Sequence, residues 1–251
     1  MTLESHFNEV LEQLLRSTSV TAEQLIHCID LTLLDEHAST EALAQLNQDA
    51  RINNVAAVCV YSKHLAQFQQ LNQIQLATVI NFPQAEDALS DSLLAIKQAI
   101  ALGVTEIDYV FPYPMYFSGK KQEALTQCKA IIEVCKNHKL TSKIILETGA
   151  FSEIRDIYEV SAQLIQMGGD FLKTSTGKIA QGASLSAVFA LLSAIKDNGN
   201  GAGFKVSGGV KTPAQAAQYA QLAELISGKQ INSSWFRIGA SSLLGELLKS
   251  N

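Results

Sequence analysis

The sequence predicts an α/β fold, a (β/α)8 barrel with an extra N-terminal helix, on three observations. Eight short runs rich in β-branched and apolar residues recur along the 251 residues. Segments of helical period separate them. The first run, CIDLTLL, leads into DEHAS without a glycine, whereas an open doubly wound sheet prefers a GxGxxG turn there. Strict alternation implies a parallel sheet with right-handed crossovers, and eight repeats favour closure into a barrel.

Each element has its own signal. The acidic, amphipathic MTLESHFNEVLEQLLRS predicts a helix near 3–17, part of a helical extension over 1–27 in a single-domain chain of 1–251. Strand-like runs follow at CIDLTLL (28–34), VAAVCVY (55–61), LATVINF (76–82) and EIDYVF (106–111). Four more lie at KIILETG (143–149), FLKTST (171–176), GFKVSGG (203–209) and WFRIGAS (235–241). Helical patterns lie between them, as at 87–103, 122–138 and 152–168. Thr212-Pro213-Ala214-Gln215 carries a capping hydroxyl, proline at the first helical position and glutamine three residues after the cap. Gly103 and Gly168 read as helix stops.

Bulk properties exclude several function classes. A hydrophobic fraction of 47% with 17% charged residues is globular composition. A net charge of -5 and the lack of a basic stripe argue against a nucleic-acid partner. The N-terminus does not read as a signal peptide, and no run approaches the roughly 20 apolar residues of a membrane span. Cys28 and Cys59 sit in apolar runs, and Cys128 and Cys135 are seven apart on a helix, so neither a disulfide framework nor a zinc site is expected. The expected compartment is reducing, the cytoplasm.

In this fold chemistry sits at the C-terminal ends of the strands. The polar residues expected there are Asp30, Asn81, Asp108, Glu147, Lys173 and Lys205. Lys173 and Lys205 lie on neighbouring strands among apolar residues, and an inward lysine is costly unless paired or neutral. Each ammonium disfavours the other and burial acts in the same direction, which yields a free amine able to form a Schiff base. Ion pairing with an acid, or an outward orientation, is the plainer alternative. Asp108 and Asp30 are the acids placed to move protons or to act as counter-ions.

STGK (175–178), SGGVK (207–211) and GASS (239–242) follow the last three strands, where this fold recurrently binds phosphate. Cys59 either lines the pocket or belongs to the core. Trp235 reads as packing. His6, His27, His37, His64 and His138 are scattered, and none is expected to be catalytic.

From about Asp30 to Leu248 the sequence resembles the deoxyribose-phosphate aldolase family. The motifs are DLT, AAVCVY, TVINFP, EIDYVFPY, ETG, DFLKTSTGK, GFKVSGGVK and RIGASSLL, in the family's order. The resemblance implies a Schiff base on Lys173, tuning by Lys205, proton transfer by Asp108 and orientation of Lys205 by Asp30. Thr32 and Thr176 would lie near sugar hydroxyls. Gly177, Lys178, Gly208, Gly209, Lys211, Gly239, Ser241 and Ser242 would surround a phosphate. The implied reaction is reversible cleavage of 2-deoxy-D-ribose 5-phosphate, with a small phosphorylated sugar as partner, no metal or organic cofactor, and a homodimer left open.

The chain departs from the family at Val206-Ser207, where many members have proline and alanine. Lys211 stands where some have arginine, and the chain stops at Lys249-Ser250-Asn251, without the tyrosine-ended tail of some members. Two rival readings are a phosphosugar isomerase or synthase, which would use a carboxylate base without a lysine pair, and a sugar-phosphate sensor, which would have lost a lysine or an acid.

Overall fold

A computed structural model describes residues 2–14, 20–68, 71, 73–199 and 201–249. The apolar runs form β1 (Ile29–Leu33), β2 (Ala57–Val60), β3 (Gln75–Ile80), β4 (Glu106–Val110), β5 (Thr141–Ile145), β6 (Phe171–Lys173), β7 (Gly203–Ser207) and β8 (Phe236–Ala240). Each pairs in parallel with the next, and β8 returns to β1 with Ile29 beside Ile238, which closes the barrel.

The helices wrap this ring because each buries one stripe against it. In α7 (Ile154–Gln166) the buried positions are Ile157, Val160, Ser161 and Leu164, a helical spacing. In α6 (Lys121–Asn137) Cys128 and Cys135 share one such stripe with Ile131 and Ile132. All four cysteines are free and buried. The capping box expected at Thr212 is present at the start of α9 (Pro213–Ser227), with both reciprocal bonds made. Gly103 and Gly168 take positive φ just past α4 (Leu89–Ala101) and α7.

The N-terminal helix, α1, runs over Leu3–Leu14, and positions 15–17 of the expected helix lie outside the described residues. A second short helix, Ala22–Ile26, follows within the expected extension. Thr21 starts it through its own capping box with Gln24.

Strand boundaries differ from expectation in ways that matter for the site. β5 starts two residues early because its first residues are pinned. The Thr141 amide donates to Thr105 O at 3.0 Å, and the Ser142 amide and hydroxyl both donate to Asp170 Oδ2, at 2.8 and 2.7 Å. Lys143 therefore stands in mid-strand. β6 ends at Lys173, short of the expected TST. Beyond it the Thr174 hydroxyl and Ser207 backbone exchange bonds of 2.9 Å, which hold the two chains together after the ladder stops.

Glycines fasten the loop after β6 to its neighbours. A Cβ on Gly182 would lie 2.2 Å from Gly208 O, and one on Gly149 would lie 2.1 Å from Gln181 O. These are backbone atoms, which cannot swing aside. Gly182→Ala is expected to destabilise by roughly 1–3 kcal/mol through overpacking. Gly245→Ala in the helix Leu243–Lys249, where nothing lies within 4 Å, should instead be neutral or stabilise by up to about 1 kcal/mol. The urea midpoint should fall in Gly182→Ala and stay level or rise in Gly245→Ala.

Candidate active site

Among the described residues, seven charged ones meet inside the barrel, none more than 6% exposed. The acids are Asp30 on β1 with Glu106 and Asp108 on β4; the bases are Lys143 on β5, Lys173 on β6, Lys205 on β7 and Arg237 on β8. Strand register brings them together, since Lys173 lies beside Lys205, Lys205 beside Arg237, and Asp108 beside Lys143.

Asp108 is the hub. Its Oδ2 accepts from both Lys173 Nζ and Lys205 Nζ at 2.7 Å, while Oδ1 accepts from Lys143 Nζ at 3.0 Å. Asp30 Oδ2 is 2.5 Å from Lys205 Nζ and 3.3 Å from Lys143 Nζ, and its Oδ1 accepts from Arg237 Nη1 at 2.7 Å. Glu106 takes Lys143 Nζ on one oxygen and Arg237 Nη2 on the other at 3.0 Å. Arg237 also lies over the Phe171 ring, 5.6 Å from its centroid.

Four cations thus face three carboxylates, so the network as drawn carries one positive charge too many for a dry interior. Lys143 touches three acids, while Lys205 and Arg237 touch two each. Lys173 touches one. Burial pushes the Lys173 amine down, Asp108 partly offsets this, and Lys205 adds to the fall, so its pKa is lowered. Lys205 moves the opposite way, because Asp108 and Asp30 outweigh its burial. Burial would raise the Asp108 carboxyl, but Lys143, Lys173 and Lys205 hold it well below the usual carboxylate range.

Above the network a cavity of 380 Å³ opens at the C-terminal ends of the strands. Lys173 borders it, together with Thr32, Thr176, Gly177, Lys178, Gly208, Gly209, Lys211, Gly239, Ser241 and Ser242. Gly177, Gly208 and Gly209 have positive φ, and Lys178 and Lys211 stand exposed at the rim. Glycine backbone without side chains, hydroxyls and two cations make a wall suited to an anion.

Some expected positions need correction. Asp30, Asp108 and Lys205 are not at strand ends but in mid-strand, below the cavity floor that Lys173 forms. Cys59 does not line the cavity; it packs with Ala77 and Val79, and burial pushes its thiol up to about 11. Gly239 lines the cavity and also makes room below it, since a Cβ there would lie 3.0 Å from Lys205 Cε. Asn81 serves the scaffold, its amide donating to Val110 O at 2.9 Å and its oxygen accepting from the Asp87 amide at 2.8 Å.

Lys143, Glu106 and Arg237 are absent from the sequence-based list. Each stands close to the start of its run, where a charged side chain reads as reaching solvent. The period of two held the signal: Glu106 shares a face with Asp108, and Arg237 with Gly239. Ser207, read from sequence only as part of the SGGVK motif, stands on the wall, and its hydroxyl donates to Ser175 O at 2.5 Å. Among the described residues, no cluster of His, Cys, Asp and Glu is placed to hold a metal ion, and no helix is long and apolar enough to cross a membrane.

The model of the DeoC/LacD family of aldolases matches residues 24–248. The fold is also similar to solved structures. A deoxyribose phosphate aldolase from Aeropyrum pernix, described as a tetramer, is 25% identical with a TM-score of 0.78, and 97% of each chain is covered. A candidate deoxyribose-phosphate aldolase from Coccidioides immitis is 22% identical with a TM-score of 0.81, over 100% of this chain and 98% of that one. Another candidate, from Toxoplasma gondii ME49, is 20% identical with a TM-score of 0.81, over 91% and 94%.

Removing one member of the ion network strands the others. Arg237→Met is expected to destabilise by roughly 3–5 kcal/mol, because Asp30 and Glu106 each lose a buried cation. Asp30 and Asp108 have folded pKa values below their unfolded ones. Their contribution is complete above about pH 5 and is lost as pH falls past the unfolded value near 4 towards the depressed folded ones. Chemical denaturation from pH 7 to 3 should show that decline.

Proposed function

This chain belongs to the DeoC/LacD family of aldolases, and from that premise we propose that it cleaves 2-deoxy-D-ribose 5-phosphate reversibly to acetaldehyde and D-glyceraldehyde 3-phosphate, through a Schiff base on Lys173. One observation carries the reading. Lys173 is the last residue of β6, borders the cavity, and shares a single Asp108 oxygen with Lys205.

The chemistry follows from that placement. An amine that gives up its proton readily can attack the open-chain aldehyde carbon, and loss of water leaves a protonated imine on Lys173. The C3 hydroxyl loses its proton towards Asp108, directly or through water, and the C2–C3 bond breaks. Its electrons flow into the imine to give an enamine, and glyceraldehyde 3-phosphate departs. The enamine takes a proton at C2, and hydrolysis releases acetaldehyde and the free amine. Lys205 and Lys143 keep Asp108 anionic between turnovers, and Asp30 holds Lys205 in place.

The cavity wall supports the substrate class. Gly177, Lys178, Gly208, Gly209, Lys211, Ser241 and Ser242 would receive the phosphate, and Thr32 and Thr176 would meet the sugar hydroxyls. Holding the phosphate at the rim fixes the aldehyde over Lys173, which supplies positioning energy.

Borohydride with acetaldehyde should leave a stable two-carbon adduct on Lys173, located by peptide mass spectrometry. Lys173→Leu should lose cleavage by at least about 10³-fold while still binding a phosphate ester. Adduct on another lysine, or retained cleavage in that variant, refutes the assigned nucleophile. Because Lys205 lowers the Lys173 pKa, Lys205→Met should shift the rising limb of kcat/KM against pH to higher pH.

A further inference from the structure

Two cavities meet the ion network, one at each end of the barrel. Lys173 borders the upper one, while Arg237 and Glu106 border a lower one of 470 Å³ at the N-terminal ends of the strands. An unbroken chain of contacts joins them: Lys173 to Asp108, Asp108 to Lys143, Lys143 to Glu106, and Glu106 to Arg237. The N-terminal end of such a barrel ordinarily serves stability. Here it opens onto a buried guanidinium with a donor to spare.

A guanidinium is a planar fork of five N–H donors. Arg237 Nε donates to Ser233 O, Nη1 to Asp30 Oδ1 and, at 3.5 Å, to Glu106 Oε2, and Nη2 to Glu106 Oε1. The remaining N–H is on Nη2. Planarity sets it parallel to Nε–H, so it points to the side of Ser233, which lines the lower cavity. Among the described residues no acceptor meets it. Glu106 and His27 are the other titratable groups on that lining. Both Glu106 oxygens already face cations, and His27 Nδ1 donates to Asn54 O at 3.0 Å.

The network around Arg237 holds four bases against three carboxylates. Loss of a proton from Lys173 restores the balance, and so would an anion entering from below. We infer that the lower cavity is a second ligand site, for a small monoanion such as a carboxylate, which takes the open Arg237 N–H and, by completing the charge balance, keeps Lys173 an ammonium that cannot attack. The inference rests on the proposed reading of Lys173 as the nucleophile. Lys173 itself faces Asp108 and Lys205, with the Cys59 thiol and the Glu147 carboxyl close by, and none of these lines the lower cavity. The coupling runs through the charge of the network, not through contact.

Acetate is the probe. It should raise the pH midpoint of the rising limb of kcat/KM by roughly half a unit or more, saturably, as a unit charge in a medium of low effective dielectric requires. With the same half-saturation it should move the Arg237 side-chain signals in nitrogen-15 NMR of arginine-labelled protein. Gln75, at the start of β3, lines the lower cavity and takes no part in the proposed chemistry. Gln75→Glu places a fixed carboxylate there, so its midpoint should stand high without acetate and respond no further to it. Gln75→Met should keep the wild-type midpoint and response.

Acetate that raises only KM, with the limb in place, is binding at the upper wall and overturns the inference. A Gln75→Glu variant with the wild-type acetate response overturns it too. If that variant does not fold, the Arg237 signals decide, and their standing still while acetate inhibits counts against the site. Failure of the wild type to form an acetaldehyde adduct on Lys173 without acetate would instead defeat the aldolase reading beneath it, and the Arg237 signals would still report the site.

Discussion

The structure depends on a charge imbalance enclosed in a ring of strands. A barrel interior is ordinarily filled by layers of branched apolar side chains. Here the middle of the barrel holds three carboxylates and four basic groups, with Asp108 alone contacting three of the lysines. Desolvating each ion costs several kcal/mol, so the arrangement survives only where every charge is matched. One base has to give up its proton more easily than the rest, and it is the one with the fewest acids around it. Lys173 has that position because β6 stops there.

The rest of the molecule divides around that constraint. Arg237, Glu106 and Phe171 close the network towards the N-terminal side, where a separate cavity of 470 Å³ reaches them from below. The strands hold the charges rigidly, and the loops after β6, β7 and β8 build the wall of the cavity above them. Glycines in those loops have distinct duties: Gly182 and Gly149 permit close backbone contact, and Gly239 clears a path for the Lys205 side chain.

Much of this was legible in the sequence, and the gaps have physical causes. Lys173 and Lys205 stood out because each interrupts an apolar run, and the glycine and hydroxyl motifs after the last strands marked the wall. Lys143, Glu106 and Arg237 did not stand out, because a charge near the first residues of a run is compatible with either face. The pinning of Thr141 and Ser142, with the register that sets Asp108 beside Lys143, places Lys143 inward. The depth of Asp30 and Asp108 was hidden for a related reason, since a list of strands does not show how far each one extends beyond its neighbours. Cys59 was read with two alternatives, and packing against Ala77 and Val79 selects the core.

The account turns on the order in which buried amines lose their protons. Nitrogen-15 NMR of lysine-labelled protein, with signals assigned by single lysine replacements, reads the charge of each Nζ directly across pH. The account predicts that Lys173 titrates first of the three barrel lysines and below the ordinary lysine value of 10.5, while Lys143 and Lys205 stay protonated above it. A Lys173 nitrogen that remains an ammonium until the other two have titrated would contradict it.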